Sequence, residues 1–83
     1  MKKYSLIIKV KYKPGVLDPQ GETIKNALLN LGYSSIANVS TGKMFKVELE
    51  ADTKAEALKT AREAADRLLA NTVIEDFEVE PVQ

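Results

Sequence analysis

Two stretches of alternating apolar and polar residues constrain the fold of this 83-residue chain more than any other feature of its sequence. Residues 4–12 and residues 43–50 each place every second side chain on one face, which is typical of a half-buried β-strand. A sheet with one apolar face needs a covering layer, so we expect helices to pack on that face. The side chains predicted to face the helices are Tyr4, Leu6, Ile8, Val10, Tyr12, Phe45, Val47 and Leu49.

Two further segments carry apolar residues at helical spacing and have recognisable ends. The first begins at Asp18, whose carboxylate can cap free N–H groups, continues with Pro19 at the first helical position, and ends at Gly32. The second begins with a capping box formed by Thr53 and Glu56. The predicted apolar stripes comprise Ile24, Ala27, Leu28 and Leu31 in the first helix and Leu58, Ala61, Ala65, Leu68 and Leu69 in the second.

Three shorter features complete the predicted fold: a strand over residues 36–40, a turn at Thr41 and Gly42, and a last strand over residues 73–79. The order of elements is then β-α-β-β-α-β, which is the ferredoxin-like arrangement. We therefore predict an α+β fold in which a four-stranded antiparallel sheet carries two helices on one face. The whole chain, residues 1–83, is predicted to form a single domain.

The composition favours an oligomer in the cytoplasm. A domain of this length buries only about 60–65% of its unfolded surface, so small folds are commonly stabilised by disulfides, metals or association. The sequence has no cysteine and no histidine, which favours association and suits a reducing compartment. No apolar run approaches the length of a membrane span and no signal-peptide pattern is present, so we expect a cytoplasmic protein that does not bind membranes.

Charge is distributed unevenly along the chain. Residues 1–46 carry eight lysines against two acidic residues, a net charge of +6, and residues 47–83 carry four basic against ten acidic residues, a net charge of −6. The two halves can neutralise each other within the fold or between protomers, which we favour over nucleic-acid binding. The aromatic residues fall on the side of the predicted sheet that faces the helices, which argues further against RNA binding.

The residue types that most catalysis requires are missing. Without histidine or cysteine, both an imidazole-activated nucleophile and a thiolate are excluded. Glu48 and Glu50 fall on the open face of the predicted sheet with lysines opposite, which favours a solvated, ion-paired surface over an acid–base pair. The glycines fit no phosphate-binding fingerprint. We therefore predict no catalytic, cofactor-binding or metal-binding residues in this chain.

Four apolar residues exceed what the predicted core needs. Ile7, Met44 and Ile74 are predicted on the open sheet face, and Leu29 lies beside the apolar stripe of the first helix. Scattered apolar residues are normal on a protein surface. Four of them on so small a domain nevertheless favour a surface for homo-oligomerisation, as a dimer or a tetramer.

The segment KPGVLDPQG, residues 13–21, has a restricted backbone. Its first four residues are typical of a type II turn, because Pro14 fixes φ at the second position and Gly15 allows a positive φ at the third. Gly21 lies in the first helical turn, where glycine costs about 1 kcal/mol relative to alanine. Close approach of another backbone would explain this glycine. The sequence leaves open whether that backbone belongs to the same domain or to a second subunit.

Four stretches together resemble the PurS family over almost the whole chain: KPGVLDPQG, IKNALLNLGY, VSTGK (residues 39–43) and LLANTVIEDFEVE. This family is the small subunit of phosphoribosylformylglycinamidine synthase in its multi-subunit form. The chain departs from the family pattern in two places. Ser40 and Thr41 stand where an arginine is usual before Gly-Lys, and Thr72 stands where a proline is usual.

The resemblance implies a non-catalytic assembly subunit of an ATP-dependent C–N ligase in purine biosynthesis, with glutamine as the amide donor. It would bridge a glutaminase subunit, PurQ, and a synthetase subunit, PurL, and assist ammonia transfer between them. ATP and Mg²⁺ are expected on the synthetase subunit. The alternative function is a small-molecule-sensing module, because ferredoxin-like pairs can bind metabolites at their interfaces and fold alone does not determine function.

A specific set of residues would contact the partner subunits under this resemblance. The predicted docking loop comprises Pro14, Gly15, Val16, Leu17, Asp18, Pro19, Gln20 and Gly21, with a further contact at Gly42 and Lys43.

Overall fold

A computed structural model describes residues 1–82 as a three-stranded antiparallel sheet with two helices. The elements in chain order are β1 (Lys2–Tyr12), α1 (Pro19–Asn30), β2 (Gly42–Ala51), α2 (Lys54–Ala64), a π-helical turn (Ala65–Leu69) that continues α2, and β3 (Glu75–Pro81). The strand order is β2-β1-β3, so β1 occupies the middle of the sheet. No helix within residues 1–82 is long and apolar enough to cross a membrane.

The core lies between α2 and one face of the sheet. Leu6, Ile8 and Val10 of β1 are almost completely buried, which confirms the predicted alternation of that strand. Three residues of β2 that were predicted to face inward are half-buried and pack against this core: Phe45, Val47 and Leu49. From α2 and its continuation the buried residues are Ala57, Ala61 and Ala65, whose small side chains allow the helix to approach the sheet closely.

The opposite face of the sheet carries charges. The ammonium group of Lys9 lies 3.3 Å from a carboxylate oxygen of Glu80, and that of Lys11 lies 3.9 Å from one of Glu78. All four side chains are about half exposed or more, so these pairs add little stability. This face is exposed and carries ion pairs, but their acidic partners come from β3, and Glu48 and Glu50, which were predicted to pair with lysines, form neither of these two pairs.

The predicted fourth strand over residues 36–40 is wrong, and with it the four-stranded ferredoxin-like sheet and the turn that would have joined that strand to β2. Residues 33–41 run as irregular chain and pair with no strand. Ile36 and Val39 are the half-buried residues of this stretch before Thr41. They are three positions apart, so a strand would direct them to opposite faces.

The expectation that both helices cover the sheet is also wrong. α2 packs against all three strands, whereas α1 makes no extensive contact with any of them in residues 1–82. Of the stripe predicted to be buried, Leu31 is 74% exposed and Ile24 is 37% exposed. α1 and the segment that follows it, residues 19–41, therefore form an arm outside the layered part of the molecule. The whole molecule, including the arm, measures 53 × 27 × 14 Å.

Between the end of α2 and the start of β3, two residues predicted to be buried, Leu68 and Val73, are exposed. The N–H of Ala70 donates to the carbonyl of Ala65 at 2.9 Å, a five-residue step that inserts an extra residue into the turn. Leu69 consequently faces the core while Leu68 is 83% exposed. Val73, predicted to share the inner face of the last strand, lies instead in a turn before β3 and is 80% exposed.

Candidate functional site

The docking loop begins with the turn that the sequence predicts. The N–H of Val16 donates to the carbonyl of Lys13 at 3.1 Å, and Gly15 has a φ of +82°, as a type II turn requires. The N–H of Lys13 in turn donates to the carbonyl of Ile74 at 2.9 Å. The start of the loop is thereby fixed to the segment that leads into β3.

Asp18 closes the base of the arm. One carboxylate oxygen accepts from the N–H of Gly21 at 2.8 Å, which confirms its role as the helix cap. The other accepts from the N–H of Thr41 at 2.6 Å, and the Thr41 hydroxyl donates to the same carboxylate. This single side chain therefore joins the residue before α1 to the residue before β2.

These donors favour the ionised form of the Asp18 carboxyl. The pKa of Asp18 is lowered from its ordinary value, chiefly by the N–H of Gly21 and then by the N–H of Thr41, with a smaller contribution from the Thr41 hydroxyl. Partial burial acts in the opposite direction. The clasp between Asp18 and Thr41 is thus maintained by a charged group at neutral pH.

Gly21 is buried because the returning segment of the arm passes directly over it. A Cβ atom at this position would collide with the carbonyl oxygen of Val39 and would lie 2.8 Å from a carboxylate oxygen of Asp18. The close backbone approach that the sequence left open therefore occurs within the same chain. It needs no second subunit.

Leu17 is the most exposed large apolar residue of the docking loop, at 70%. Val16 beside it is half-buried, and both line an open cavity of about 360 Å³ between the loop and the returning segment of the arm. Tyr12 closes the sheet side of this cavity, and Asn38 and Ser40 contribute polar groups from the arm. The loop thus offers an apolar edge on a backbone that hydrogen bonds hold at both ends.

The predicted contact at Gly42 and Lys43 lies where the arm returns to the sheet. Gly42 is the first residue of β2, and a Cβ there would lie 2.6 Å from the carbonyl oxygen of Val10. Lys43 is exposed. A role of either residue in binding a partner stays a prediction.

The four residues predicted to form an oligomer surface do not all lie together. Met44 is 68% exposed and half-buried Ile7 is its diagonal neighbour on the outer sheet face, because Ile7 pairs with Lys46. Ile74 lies in the turn before β3, and Leu29 lies on α1 with 37% exposure. The structure therefore brings together two of the four.

Comparison with known proteins decides the family. The family model described as PurS, phosphoribosylformylglycinamidine (FGAM) synthase, matches residues 5–83. The chain belongs to the PurS family. Among curated relatives, the PurS subunit of Mycobacterium leprae is 42% identical over 73 residues, covering 88% of this chain and 89% of the relative. That of Methanocaldococcus jannaschii is 37% identical over 76 residues, covering 92% of each chain.

Solved PurS structures share the architecture. The crystal structure of Methanocaldococcus jannaschii PurS, described as one of the subunits of formylglycinamide ribonucleotide amidotransferase in the purine biosynthetic pathway, has a TM-score of 0.85 at 34% identity and covers 96% of both chains. A chain of the PurLQS structure from Thermotoga maritima has a TM-score of 0.89 at 33% identity, covering 99% of this chain and 100% of that one. The three-stranded sheet with its projecting arm is therefore a PurS fold.

Two interactions of this PurS-family chain were not predicted from its sequence. Thr41 binds Asp18 across 23 positions of sequence, and nothing in the local pattern of either residue indicates that pairing. Glu75 is 8% exposed, and its carboxylate accepts from the N–H of Asn71 at 2.7 Å. That bond closes the turn in which Thr72 replaces the usual proline, so the turn forms without it.

Proposed function

We propose that this chain is the PurS subunit of a phosphoribosylformylglycinamidine synthase and holds a glutaminase subunit and a synthetase subunit together. The observation that carries the proposal is the match to the PurLQS assembly of Thermotoga maritima, in which the similar chain is covered over its whole length. The family match over residues 5–83 supports the same role and favours it over a small-molecule-sensing module.

The chemistry of the side chains supports a non-catalytic role. The sequence contains neither histidine nor cysteine. Glu78 and Glu80 are paired with lysines on the exposed sheet face, and no group of His, Cys, Asp and Glu among residues 1–82 could hold a metal ion. ATP and Mg²⁺ would accordingly be bound by the synthetase subunit, and ammonia released by the glutaminase subunit would pass between the two larger partners. The reducing cytoplasm remains the expected location.

The docking loop is the surface that we propose for a partner subunit. Leu17 exposes most of its side chain on a backbone that the turn at Gly15 and the Asp18–Thr41 clasp keep in place. A preordered loop loses less conformational entropy on binding than a mobile one. An exposed leucine on such a loop can be buried by a partner at little cost.

A homo-oligomer is the second part of the proposal, supported by the dimensions of the single chain. Its radius of gyration is 16.4 Å, whereas a compact domain of this length has about 12 Å. Its accessible surface of 6136 Å² exceeds that of a compact 9.2 kDa monomer by about 1,200 Å². An excess of that size is comparable to what one partner buries in a stable interface, about 800 Å².

Reconstitution tests the docking role of Leu17. The variant Leu17→Asp should stay folded, because the carboxylate can remain in water, but glutamine-dependent synthase activity with the glutaminase and synthetase subunits should fall about tenfold or more, because docking would desolvate the charge. The variant Ala55→Asp, which adds the same charge to an exposed position of α2, serves as the control and should retain activity.

The outcomes separate the parts of the proposal. Normal activity with folded Leu17→Asp would remove the docking loop from the partner interface. Full glutamine-dependent activity of the two larger subunits without this chain would overturn its role as a subunit, and glutaminase or ATPase turnover by the purified chain alone would contradict a non-catalytic role.

A further inference from the structure

β3 is an edge strand whose outer side has no partner strand among residues 1–82. The strand order β2-β1-β3 places β1 on one side of it and no described strand on the other. The N–H of Val82, just after β3, donates to the carbonyl of Ser5 in β1 at 2.8 Å. Backbone groups alternate in direction along a strand, so even-numbered residues of β3 bond to β1. The N–H and C=O groups of Phe77 and Val79 therefore point to the open side.

The open side of β3 can pair only over a short stretch. At one end, the N–H of Glu75 already donates to the carbonyl of Asn71 at 2.7 Å. At the other end is Pro81, which has no N–H and, as an odd-numbered residue, lacks it on the outer side and not toward β1. A further strand would thus form its hydrogen bonds at Phe77 and Val79 and would pair over residues 76–80.

The side chains of residues 76–80 determine which charge a pairing strand must carry. Asp76, Glu78 and Glu80 are exposed on the outer face of the sheet. Phe77 and Val79, which alternate with them, are half-buried and pack against the core. A second β3 would place carboxylates opposite carboxylates in every register that uses these backbone groups, which is repulsive. The edge therefore disfavours its own copy and favours a basic strand.

β1 shows what kind of strand β3 accepts on its inner side. Lys9 lies opposite Glu78. Lys11 lies opposite Asp76, and a single apolar residue separates the two lysines. Glu78 and Glu80 pair with these lysines, yet their side chains remain 60% and 50% exposed. Each carboxylate can therefore accept a second cation from the open side.

We infer that the outer edge of β3 binds an extended segment of another protein in which basic and apolar residues alternate. The segment pairs antiparallel over residues 76–80, because each of its apolar residues can then exchange two hydrogen bonds with Phe77 or Val79. Its lysines or arginines lie opposite the three carboxylates. In this chain two lysines flank a single apolar residue only within residues 9–13, of which β1 already uses the first part beside β3, so a second copy does not supply the segment. The inference is independent of the docking loop and of the synthase role.

A methylated peptide tests backbone pairing without any change to the protein. The probe is the peptide acetyl-Lys-Val-Lys-Val-Lys-amide. At up to about 5 mM it should slow amide hydrogen exchange at Phe77 and Val79 by about tenfold or more, because both N–H groups gain an acceptor. N-methylation of both valines removes the donors that face β3 and should weaken binding about tenfold or more. N-methylation of the second and third lysines, whose N–H groups point away, is the control and should change the Kd by less than about threefold.

The exchange data decide whether the edge pairs. Unchanged exchange at Phe77 and Val79 with the unmethylated peptide would overturn the proposal. Equal weakening by the two methylated peptides would also overturn it, because binding would then not depend on the donors that face β3.

Charge reversal tests the preference for a basic partner. Glu78→Lys should weaken binding of the unmethylated peptide about tenfold or more, because it places a lysine opposite the central lysine of the peptide. The variant should stay folded, because Glu78 is exposed and its pair with Lys11 adds little stability. Glu63→Lys makes the same change of charge at an exposed position of α2, and this control should bind within about twofold of the wild type. Equal weakening by both variants would show attraction by net charge alone and would overturn the proposal.

Discussion

Asp18 shows how one side chain can serve two parts of the backbone. Its place before Pro19 predicts the helix cap from sequence alone, and the bond to the N–H of Gly21 confirms it. Its second role, the bonds to Thr41, depends on where the chain returns 23 residues later. A local sequence pattern carries no information about such a return. The helix cap could therefore be predicted from the sequence, whereas the bonds to Thr41 could not.

The lowered pKa of Asp18 predicts a pH-dependent contribution to stability. A carboxyl with a lower pKa in the folded chain stabilises the fold above its unfolded-state pKa, about 3.9, and this contribution is lost as the pH falls through the folded-state value. Asp18→Asn should therefore have a lower Tm than the wild type at pH 7, because the amide places a donor against one of the N–H groups. The difference should shrink below about pH 4.

Thermal unfolding of both proteins from neutral to acidic pH, at one protein concentration, measures this difference. Asp66→Asn, at an exposed aspartate of the π-helical turn, is the control and should follow the wild type. A Tm difference that persists unchanged down to pH 2 would show that the charge of Asp18 is not what stabilises the arm.

Gly21→Ala should destabilise the chain although alanine favours helices. The helix gains about 1 kcal/mol from the substitution, but the new Cβ collides with the backbone of Val39, and overpacking of this kind costs about 1–3 kcal/mol. A backbone carbonyl cannot rotate away as a side chain can, so the cost lies toward the upper end. We expect a net loss of about 1–2 kcal/mol in urea unfolding, whereas the exposed neighbour Asn26→Ala should be neutral or slightly stabilising. A stabilised Gly21→Ala would refute the close approach.

Among the elements, those with strong periodicity could be predicted and those that depend on distant partners could not. The alternation in β1 and β2 fixes which side chains meet α2, because a slip of one residue would expose all of them. α1 also has a clear apolar stripe in the sequence, but such a stripe does not determine whether the sheet or another surface covers it, and here Ile24 and Leu31 stay exposed. The half-buried residues of the stretch 36–40 lie three positions apart rather than alternating, and its backbone passes over α1 at Gly21.

The extra residue in the π-helical turn makes two adjacent leucines unequal. Leu69 packs against the core, so Leu69→Ala should cost about 1–3 kcal/mol in the free energy of unfolding. Leu68 is 83% exposed, so Leu68→Ala should change it by less than about 0.5 kcal/mol. Urea unfolding at one protein concentration compares the two variants. A regular continuation of α2 would instead place Leu68 on the same side as Ala61 and Ala65 and Leu69 beside it, so a loss from Leu68→Ala equal to or larger than that from Leu69→Ala would contradict the π-helical turn.

For the molecule as a whole, the long shape predicts stability that depends on concentration. In the proposed homo-oligomer the chain would bury part of this exposed surface by association, and mass action would then favour the folded oligomer as concentration rises. The Tm should increase by about 5–10 °C between about 1 and 100 µM chain. A concentration-independent Tm together with monomeric sedimentation at micromolar concentration would contradict this.

The position of the arm between two neighbouring strands has a consequence for how this chain could be re-engineered. β1 and β2 pair directly at Lys11 and Gly42, so a short turn would suffice to connect them as a simple hairpin. Residues 13–41 are in that sense an insertion whose ends already meet, held closed by Asp18 and Thr41. An insertion of this kind can be shortened, exchanged with that of another PurS, or grafted onto a foreign hairpin while the strand register stays the same.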